Sequence, residues 1–222
     1  GFDVAASPAA PKNLADPIDV VVILNEINDQ HGTGPLVKRI FAGRRGIFSI
    51  RSRNDWGCHD FGDWDLKLSH PGCGRQECFR RVLRALRGRR VTSVTCVPFL
   101  AEELVTSIAV KQAFNAKLCL YLMDDQNVAV NNIPDGLMRE FLEECTLRLA
   151  THPQLAQAYE QKFNLPFYIL PAIVPASLIP DAYEPGERHV GRAALLGSFW
   201  DQSWFDRLCD ALEQSPYEID WF

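Results

Sequence analysis

Short apolar runs alternate along the chain with segments in which apolar residues recur every three or four positions. The runs are rich in β-branched residues, which is typical of parallel strands covered on both faces, and the spaced positions predict amphipathic helices. The predicted strands are 18–24, 46–50, 91–97, 116–123, 147–151 and 167–170, and the predicted helices are 36–41, 79–86, 102–114, 134–145 and 154–163. This alternation predicts an α/β fold, a Rossmann-like parallel sheet with helices on both faces.

The order of these elements and the local composition divide the chain into four segments. Residues 1–16 are rich in Ala and Pro and are expected to be a linker or an artificial extension, and 17–175 form the predicted N-terminal Rossmann-like domain. Residues 176–190 are a charged linker containing Pro and Gly, and 191–222 open a second βα unit. Because the sequence stops inside an ordered apolar pattern, we expect this second domain to be truncated.

The net charge and the cysteine content limit which partners and which cellular location are expected. The net charge of -5 and the pI near 5.6 argue against a nucleic-acid partner, since a protein that binds phosphate backbones carries clustered positive charge. No apolar run approaches the roughly 20 residues that span a bilayer. Seven cysteines, an odd number mostly in apolar surroundings, favour reduced thiols and therefore a cytoplasmic location.

A glycine-containing loop follows the first predicted strand and opens a helix. Gly32, Thr33 and Gly34 stand where backbone N–H groups and the helix dipole favour an anion. The loop is not a dinucleotide fingerprint, because Val37 occupies the last glycine position, and it lacks the G-K-[ST] of a P-loop. On position alone, a tight turn and a ligand loop remain equally open.

Two adjacent carboxylates end the predicted strand 116–123. Asp124 and Asp125 are expected at the ligand-binding edge of the sheet, where they could bind a divalent metal or sugar hydroxyls. As a general base, either would need a raised pKa. The alternative is a carboxylate that caps the following loop, and the sequence leaves both open.

The segment 54–74 is long for a loop in a compact α/β unit, and it contains two tryptophans. Trp56 and Trp64 could stack on a sugar or could pack the loop down. The same region, 54–78, contains Cys58, His59, His70, Cys73 and Cys78. These residues include no C-x-x-C pair, so chance clustering is favoured over a zinc site and no metal is expected.

A dense group of arginines lies on and just after the predicted helix 79–86. Arg80, Arg81, Arg84 and Arg87 could meet anionic lipid if the acceptor is membrane-borne, which would place the protein at the inner face of the membrane. A solvated charged face is the favoured interpretation, since such helices are common.

The arrangement at 151–175 resembles the end of the N-terminal domain in GT-B glycosyltransferases of the retaining, family-4 type. A polar turn at 151–153 precedes a helix that ends near an aromatic residue, and a strand at 167–170 leads into Pro171 and Val174. The resemblance implies transfer of a sugar from a nucleotide-sugar donor to an acceptor hydroxyl. It implies no cofactor beyond this co-substrate, a carbohydrate or lipid-linked acceptor, and a fragment that is inactive alone.

The resemblance also assigns roles to residues of this chain. It implies that Gly32, Thr33 and Gly34 face the donor phosphates, and that Asp124, which stands near the position of a sugar-contacting histidine in many such enzymes, is the candidate catalytic residue. We assign acceptor contacts to Asp125, Trp56 and Trp64.

Three alternatives remain open at this point. The pair Asp124 and Asp125, or the run Asp63-Trp64-Asp65, is similar to the D-x-D metal site of GT-A glycosyltransferases. A GT-B sugar epimerase would share the architecture with different chemistry. A non-enzymatic α/β module that binds a small ligand is the third alternative.

Overall fold

A parallel sheet of seven strands forms the centre of the first of two compact units, which divide after Ile173. The computed structural model describes residues 16–68, 74–174, 176, 179, 192–195, 202–216 and 218–221. The strands of the large sheet are β1 (Pro17–Ile23), β2 (Ile47–Arg51), β3 (Trp64–Lys67), β4 (Arg90–Val97), β5 (Lys117–Leu122), β6 (Leu147–Ala150) and β7 (Tyr168–Ile169). Helices of this unit are α1 (Thr33–Ile40), α2 (Arg75–Ala85), α3 (Ala101–Phe114), α4 (Asp135–Glu144) and α5 (Pro153–Phe163). The predicted Rossmann-like α/β class is confirmed.

The strands lie in the order β3-β2-β1-β4-β5-β6-β7, and every pair is parallel. The connections from β1 and β4 therefore lead in opposite directions across the sheet. In open parallel sheets this reversal creates a crevice beyond the carboxyl ends of the two strands. The order fixes where a ligand site is expected, between the loops that follow β1 and β4.

Each face of the sheet has its own apolar cluster. Cys78, Leu104, Phe141 and Tyr159, from helices α2 to α5, pack with strand residues on one face. Val37 and Phe41, from α1 and its end, pack with strand residues on the other face. The predicted helices on both faces are thus present among the described residues, with α1 alone on its side.

Strand β3 is a correction to the predicted long loop at 54–74. Its residues alternate, with Trp64 and Leu66 buried and Asp65 and Lys67 more exposed, the period-two pattern of a strand with one face on a core. The Trp64 ring stacks on Phe48, with centroids 6.3 Å apart. Four residues in a Gly- and Asp-rich segment gave too short a signal to separate this strand from a loop.

Local signals in the sequence set the ends of α5. The His152 Nδ1 accepts a hydrogen bond from the Leu155 backbone N–H at 3.2 Å, which satisfies one of the unpaired groups at the helix start, and Pro153 occupies the first turn. The helix ends at Asn164, whose φ of 57° is left-handed, a conformation that Asn tolerates better than most residues.

The second unit contains two parallel strands, β8 (Arg192–Leu195) and β9 (Glu218–Trp221), with α6 (Gln202–Glu213) between them in sequence. This is a βα start of the kind predicted for 191–222, and β9 was not predicted. The proposed domain boundaries, including the linker 176–190, stay predictions because most of that linker lies outside the described residues. Across the described part of the chain, no helix combines the length and apolar character needed to span a bilayer.

Candidate functional site

The loop that follows β1 is held by a buried carboxylate and a buried amide. Glu26 is 0% exposed, and its carboxylate accepts hydrogen bonds from the backbone N–H groups of Asp55, at 3.1 Å, and Trp56. Asn28 donates through Nδ2 to the carbonyl oxygens of Trp56 and Cys58 at 2.8 and 3.0 Å. These contacts join the loop after β1 to the loop after β2 as one polar rim of the crevice.

His59 adds a third connection between the two loops. Its Nδ1 accepts from the Ile27 backbone N–H at 3.0 Å, and its Nε2 lies 2.7 Å from the Phe61 carbonyl oxygen and 2.9 Å from Ser49 Oγ. A carbonyl oxygen only accepts, so Nε2 carries the proton and the ring is neutral. Burial lowers the His59 pKa, and the nearby carboxylates of Asp65 and Asp60 oppose this shift.

Protonating His59 is expected to loosen this rim. Its folded-state pKa lies below the ordinary value of 6.5, so the stabilisation it gives is complete above that pH and is lost as the pH falls through the folded-state pKa. We expect the unfolding free energy of the wild type to decrease below about pH 6.5 more steeply than that of His59→Asn, whose amide oxygen can still accept from Ile27. Denaturant unfolding at several pH values measures this difference, and parallel curves for the two proteins would contradict it.

The three residues of the glycine loop differ in their surroundings. Gly32 is exposed, and a Cβ placed there would meet nothing within 4 Å. Thr33 is the first residue of α1 and is partly exposed. Gly34 is buried, and a Cβ on it would lie 2.0 Å from the Asn28 carbonyl oxygen. The structure therefore explains Gly34 by close backbone packing, a constraint that Gly32 does not share.

Asp124 lies two residues after the end of β5, at the carboxyl edge of the sheet. Asp124 is exposed, yet partial desolvation by the surrounding protein raises the pKa of its carboxyl group. The charge of His152 opposes this shift. A raised pKa makes a carboxylate a better proton acceptor near neutral pH. One strand, β4, separates β1 from β5, so the axes of β1 and β5 are about 10 Å apart at the usual strand spacing.

Asp125 has a structural role in the loop that follows. Its two carboxylate oxygens accept hydrogen bonds from the backbone N–H groups of four successive residues, 127–130, at 2.6–3.2 Å. The Tyr159 hydroxyl donates to the same carboxylate at 3.1 Å. Burial raises the Asp125 pKa, but the hydrogen bonds from the backbone outweigh this effect, so the net shift of the pKa is downward. Asp125 thus holds the loop beside Asp124, and its carboxylate is occupied by these donors.

The two tryptophans proposed as sugar contacts lie in different environments. Trp56 is 48% exposed, and one side of its ring system is backed by His31, with centroids 5.9 Å apart at 28°. Trp64 is 6% exposed, and the Arg89 guanidinium covers its ring at 3.7 Å. A buried ring has no free face for a sugar, so Trp64 is a core residue and Trp56 remains the candidate contact.

The cysteines and histidines of 54–78 that the structure describes lie in different environments. Cys58 is exposed, whereas Cys78 is buried, with its sulfur 3.3 Å from the Thr106 hydroxyl. His70 and Cys73 lie outside the described residues. Among the residues that the structure describes, no group of three or more His, Cys, Asp or Glu side chains could hold a metal ion.

The carboxylates of Asp63 and Asp65 also form hydrogen bonds or ion pairs with residues in or next to the sheet. Asp63 is buried and accepts from the backbone N–H groups of Gly46, at 2.6 Å, and Ile47, at 3.0 Å. Asp65 forms a two-oxygen ion pair with Arg51. The run Asp63-Trp64-Asp65 therefore holds strand ends together, and its carboxylates do not converge on a common point.

Sequence reasoning missed the buried acid beside the β4 loop. Glu103, in the first turn of α3, accepts from the backbone N–H groups of Leu100 and Phe99 at 2.7 and 3.3 Å and from Ser52 Oγ at 2.7 Å. Burial raises the Glu103 pKa, and these hydrogen bonds oppose the shift. A Glu three residues after a helix start is a known N-terminal signal, which could have identified the backbone contact but not the distant Ser52.

In comparison with known proteins, no family model matches the chain and no curated protein is similar enough to count as a match. The resemblance to GT-B glycosyltransferases therefore rests on the residues and element order described above.

Proposed function

We propose that the chain is the acceptor-side part of a GT-B glycosyltransferase, which moves a sugar from a nucleotide-sugar donor to an acceptor hydroxyl. The observation that carries this proposal is the position of Gly32 and Thr33 after β1, of Trp56 after β2 and of Asp124 after β5. All of them follow strands at the carboxyl edge of a parallel sheet, on the two sides of the switch between β1 and β4. The sheet order and parallel pairing support the proposal but are shared by enzymes of other chemistry.

Each of these residues suits one part of the reaction. The start of α1 offers backbone N–H groups and a positive dipole end to the donor phosphates. The exposed Trp56 face suits the apolar face of an acceptor sugar. Asp124 accepts the proton of the acceptor hydroxyl as the new glycosidic bond forms and the bond to the nucleoside diphosphate breaks.

Hydrogen bonds fix the loops on both sides of the proposed site. Glu26 and Asn28 fix the rim on one side, and Asp125 fixes it on the other. Rigid rims of this kind hold reacting groups without paying ordering entropy at each turnover.

The geometry favours this proposal over a GT-A site at Asp124 and Asp125. A D-x-D site needs both carboxylates to reach one metal ion. The Asp125 oxygens instead accept from the backbone of 127–130. An epimerase on the same architecture differs in its products, which the assay that ends the Discussion separates.

Sugar binding at Trp56 is the first test of the acceptor side. We expect the Trp56 indole N–H resonance to shift when glucose, galactose, mannose or N-acetylglucosamine is titrated into the isotope-labelled chain. Trp56→Ala should weaken that binding about tenfold, which is what one aromatic stack contributes.

A second exposed tryptophan provides a matched control. Trp204, in α6, is 56% exposed, and Trp204→Ala should leave sugar binding unchanged. If no sugar shifts the Trp56 resonance, or if the two variants weaken binding equally, the acceptor assignment fails.

A further inference from the structure

Positive charge is concentrated in one segment of an otherwise acidic protein. Residues 74–90 contain seven of the 23 basic residues and one of the 28 acidic residues, for a local net charge of +6. The rest of the chain therefore has a net charge of -11 when the total is -5. Such segregation is not expected of charges that only solubilise a surface, which usually alternate in sign.

The structure places part of this charge on one outward surface of α2. Cys78 and Val82 are the buried positions of the helix. Arg80 follows Cys78 by two residues, and Arg84 follows Val82 by two, so each arginine is rotated by about 200° from a buried position and lies on the opposite side of the helix. Leu83 lies between them and is 38% exposed. Arg87 continues the same spacing just beyond the helix and is exposed. We call Arg80, Leu83, Arg84 and Arg87 the arginine face.

The acidic residue in this segment neutralises little of that charge. Glu77 pairs with Arg81 at 2.9 Å and lies 3.4 Å from Arg80, whose side chain remains 67% exposed. The other arginines of the segment have separate roles: Arg75 pairs with Glu140, and Arg89 covers Trp64. For Arg84 and Arg87, no carboxylate lies within ion-pair distance among the described residues.

We infer that the arginine face binds an anionic lipid surface. A flat, one-sided group of guanidinium ions is attracted to the negative headgroups of a bilayer, and an exposed leucine among them can enter the boundary between headgroups and acyl chains. Nucleic acid fits this face less well, because the chain as a whole is acidic and the face has no exposed aromatic side chain on which a base could stack. The inference is independent of the proposed sugar transfer.

Vesicle sedimentation tests the inference directly. The chain should bind vesicles of equal parts phosphatidylcholine and phosphatidylglycerol and should be released by raised salt, because the attraction is screened. It should not bind vesicles of phosphatidylcholine alone. In the triple variant R80Q/R84Q/R87Q, the partition coefficient should fall on the order of 100-fold, from about fivefold for each basic residue removed.

A charge-matched variant separates this face from a general loss of positive charge. Arg53, Lys67 and Arg207 are exposed, and Lys67 follows Asp65 on the sheet face opposite α2. The triple variant R53Q/K67Q/R207Q should retain vesicle binding, with unfolding curves for both variants showing that each is folded. Absence of binding to the mixed vesicles, equal loss in the two variants, or tighter binding to an oligonucleotide duplex than to the vesicles would each overturn the inference.

Discussion

Replacing Asp124 with asparagine is expected to lower sugar transfer by roughly 100-fold, the smaller end of what a positioned general base contributes. The substitution keeps the shape of the side chain and removes its ability to take a proton. Because the pKa of Asp124 is raised above the ordinary 3.8, the wild-type rate should increase with pH through an acidic limb that lies above that value. The rate of D124N should lack this limb. Initial rates across pH, with the complete polypeptide that contains this chain, measure both effects.

Stability distinguishes a catalytic Asp124 from a structural one. A carboxylate whose pKa is raised by folding destabilises the folded state at neutral pH, so D124N should be at least as stable as the wild type. Asp16 is exposed and precedes β1, at the opposite edge of the sheet, which makes Asp16→Asn the matched control. Equal rates for D124N and D16N would exclude the proposed role of Asp124.

Replacing Gly34 with alanine is expected to cost more than about 3 kcal/mol of unfolding free energy, the range typical of severe overpacking. The new Cβ would lie 2.0 Å from the Asn28 carbonyl oxygen and 2.8 Å from its backbone nitrogen. Backbone atoms cannot rotate away as a flexible side chain can, so α1 and the loop after β1 must separate. Denaturant midpoints with unchanged m-values would measure the cost.

Gly32 provides the matched control two residues earlier. Its φ of -57° suits alanine, and nothing lies within 4 Å of the added Cβ. Gly32→Ala should therefore change stability by less than about 0.5 kcal/mol. A G34A protein as stable as G32A would show that the loop after β1 does not pack as described.

The sheet could be predicted from the sequence because its long strands are rich in apolar and β-branched residues. β1, β4 and β5 are buried on both faces, and the loops between them contain Gly, Pro or Asp at their ends. β3 could not be separated from a loop because it has four residues and its alternating pattern is bounded by glycine and polar residues. Trp64, which belongs to β3, was accordingly assigned to a binding loop when it belongs to the core.

Sequence reasoning proposed candidate site residues mainly where they follow the end of a strand. Asp124 and Gly32 are candidates of this kind. The contacts that shape the rim join residues far apart in sequence, such as Glu26 with Trp56, 30 residues away, and Ile27 with His59, 32 residues away. No local pattern encodes such pairs, because they depend on two loops meeting at one sheet edge. The role of Asp125 was open for the same reason, since a carboxylate after a strand suits a ligand and a loop cap equally.

The central claim is that this fold transfers sugars from nucleotide donors. The most direct measurement is nucleoside diphosphate release by the complete polypeptide from a panel of UDP-, GDP-, ADP- and dTDP-sugars, with and without a carbohydrate acceptor, and with mass spectrometry of the products. We predict release that depends on one donor and increases with acceptor, a product heavier than the acceptor by one sugar residue, and loss of both in D124N. Conversion of the donor to its epimer without any acceptor product, or no reaction with any donor of the panel, would contradict the proposed function.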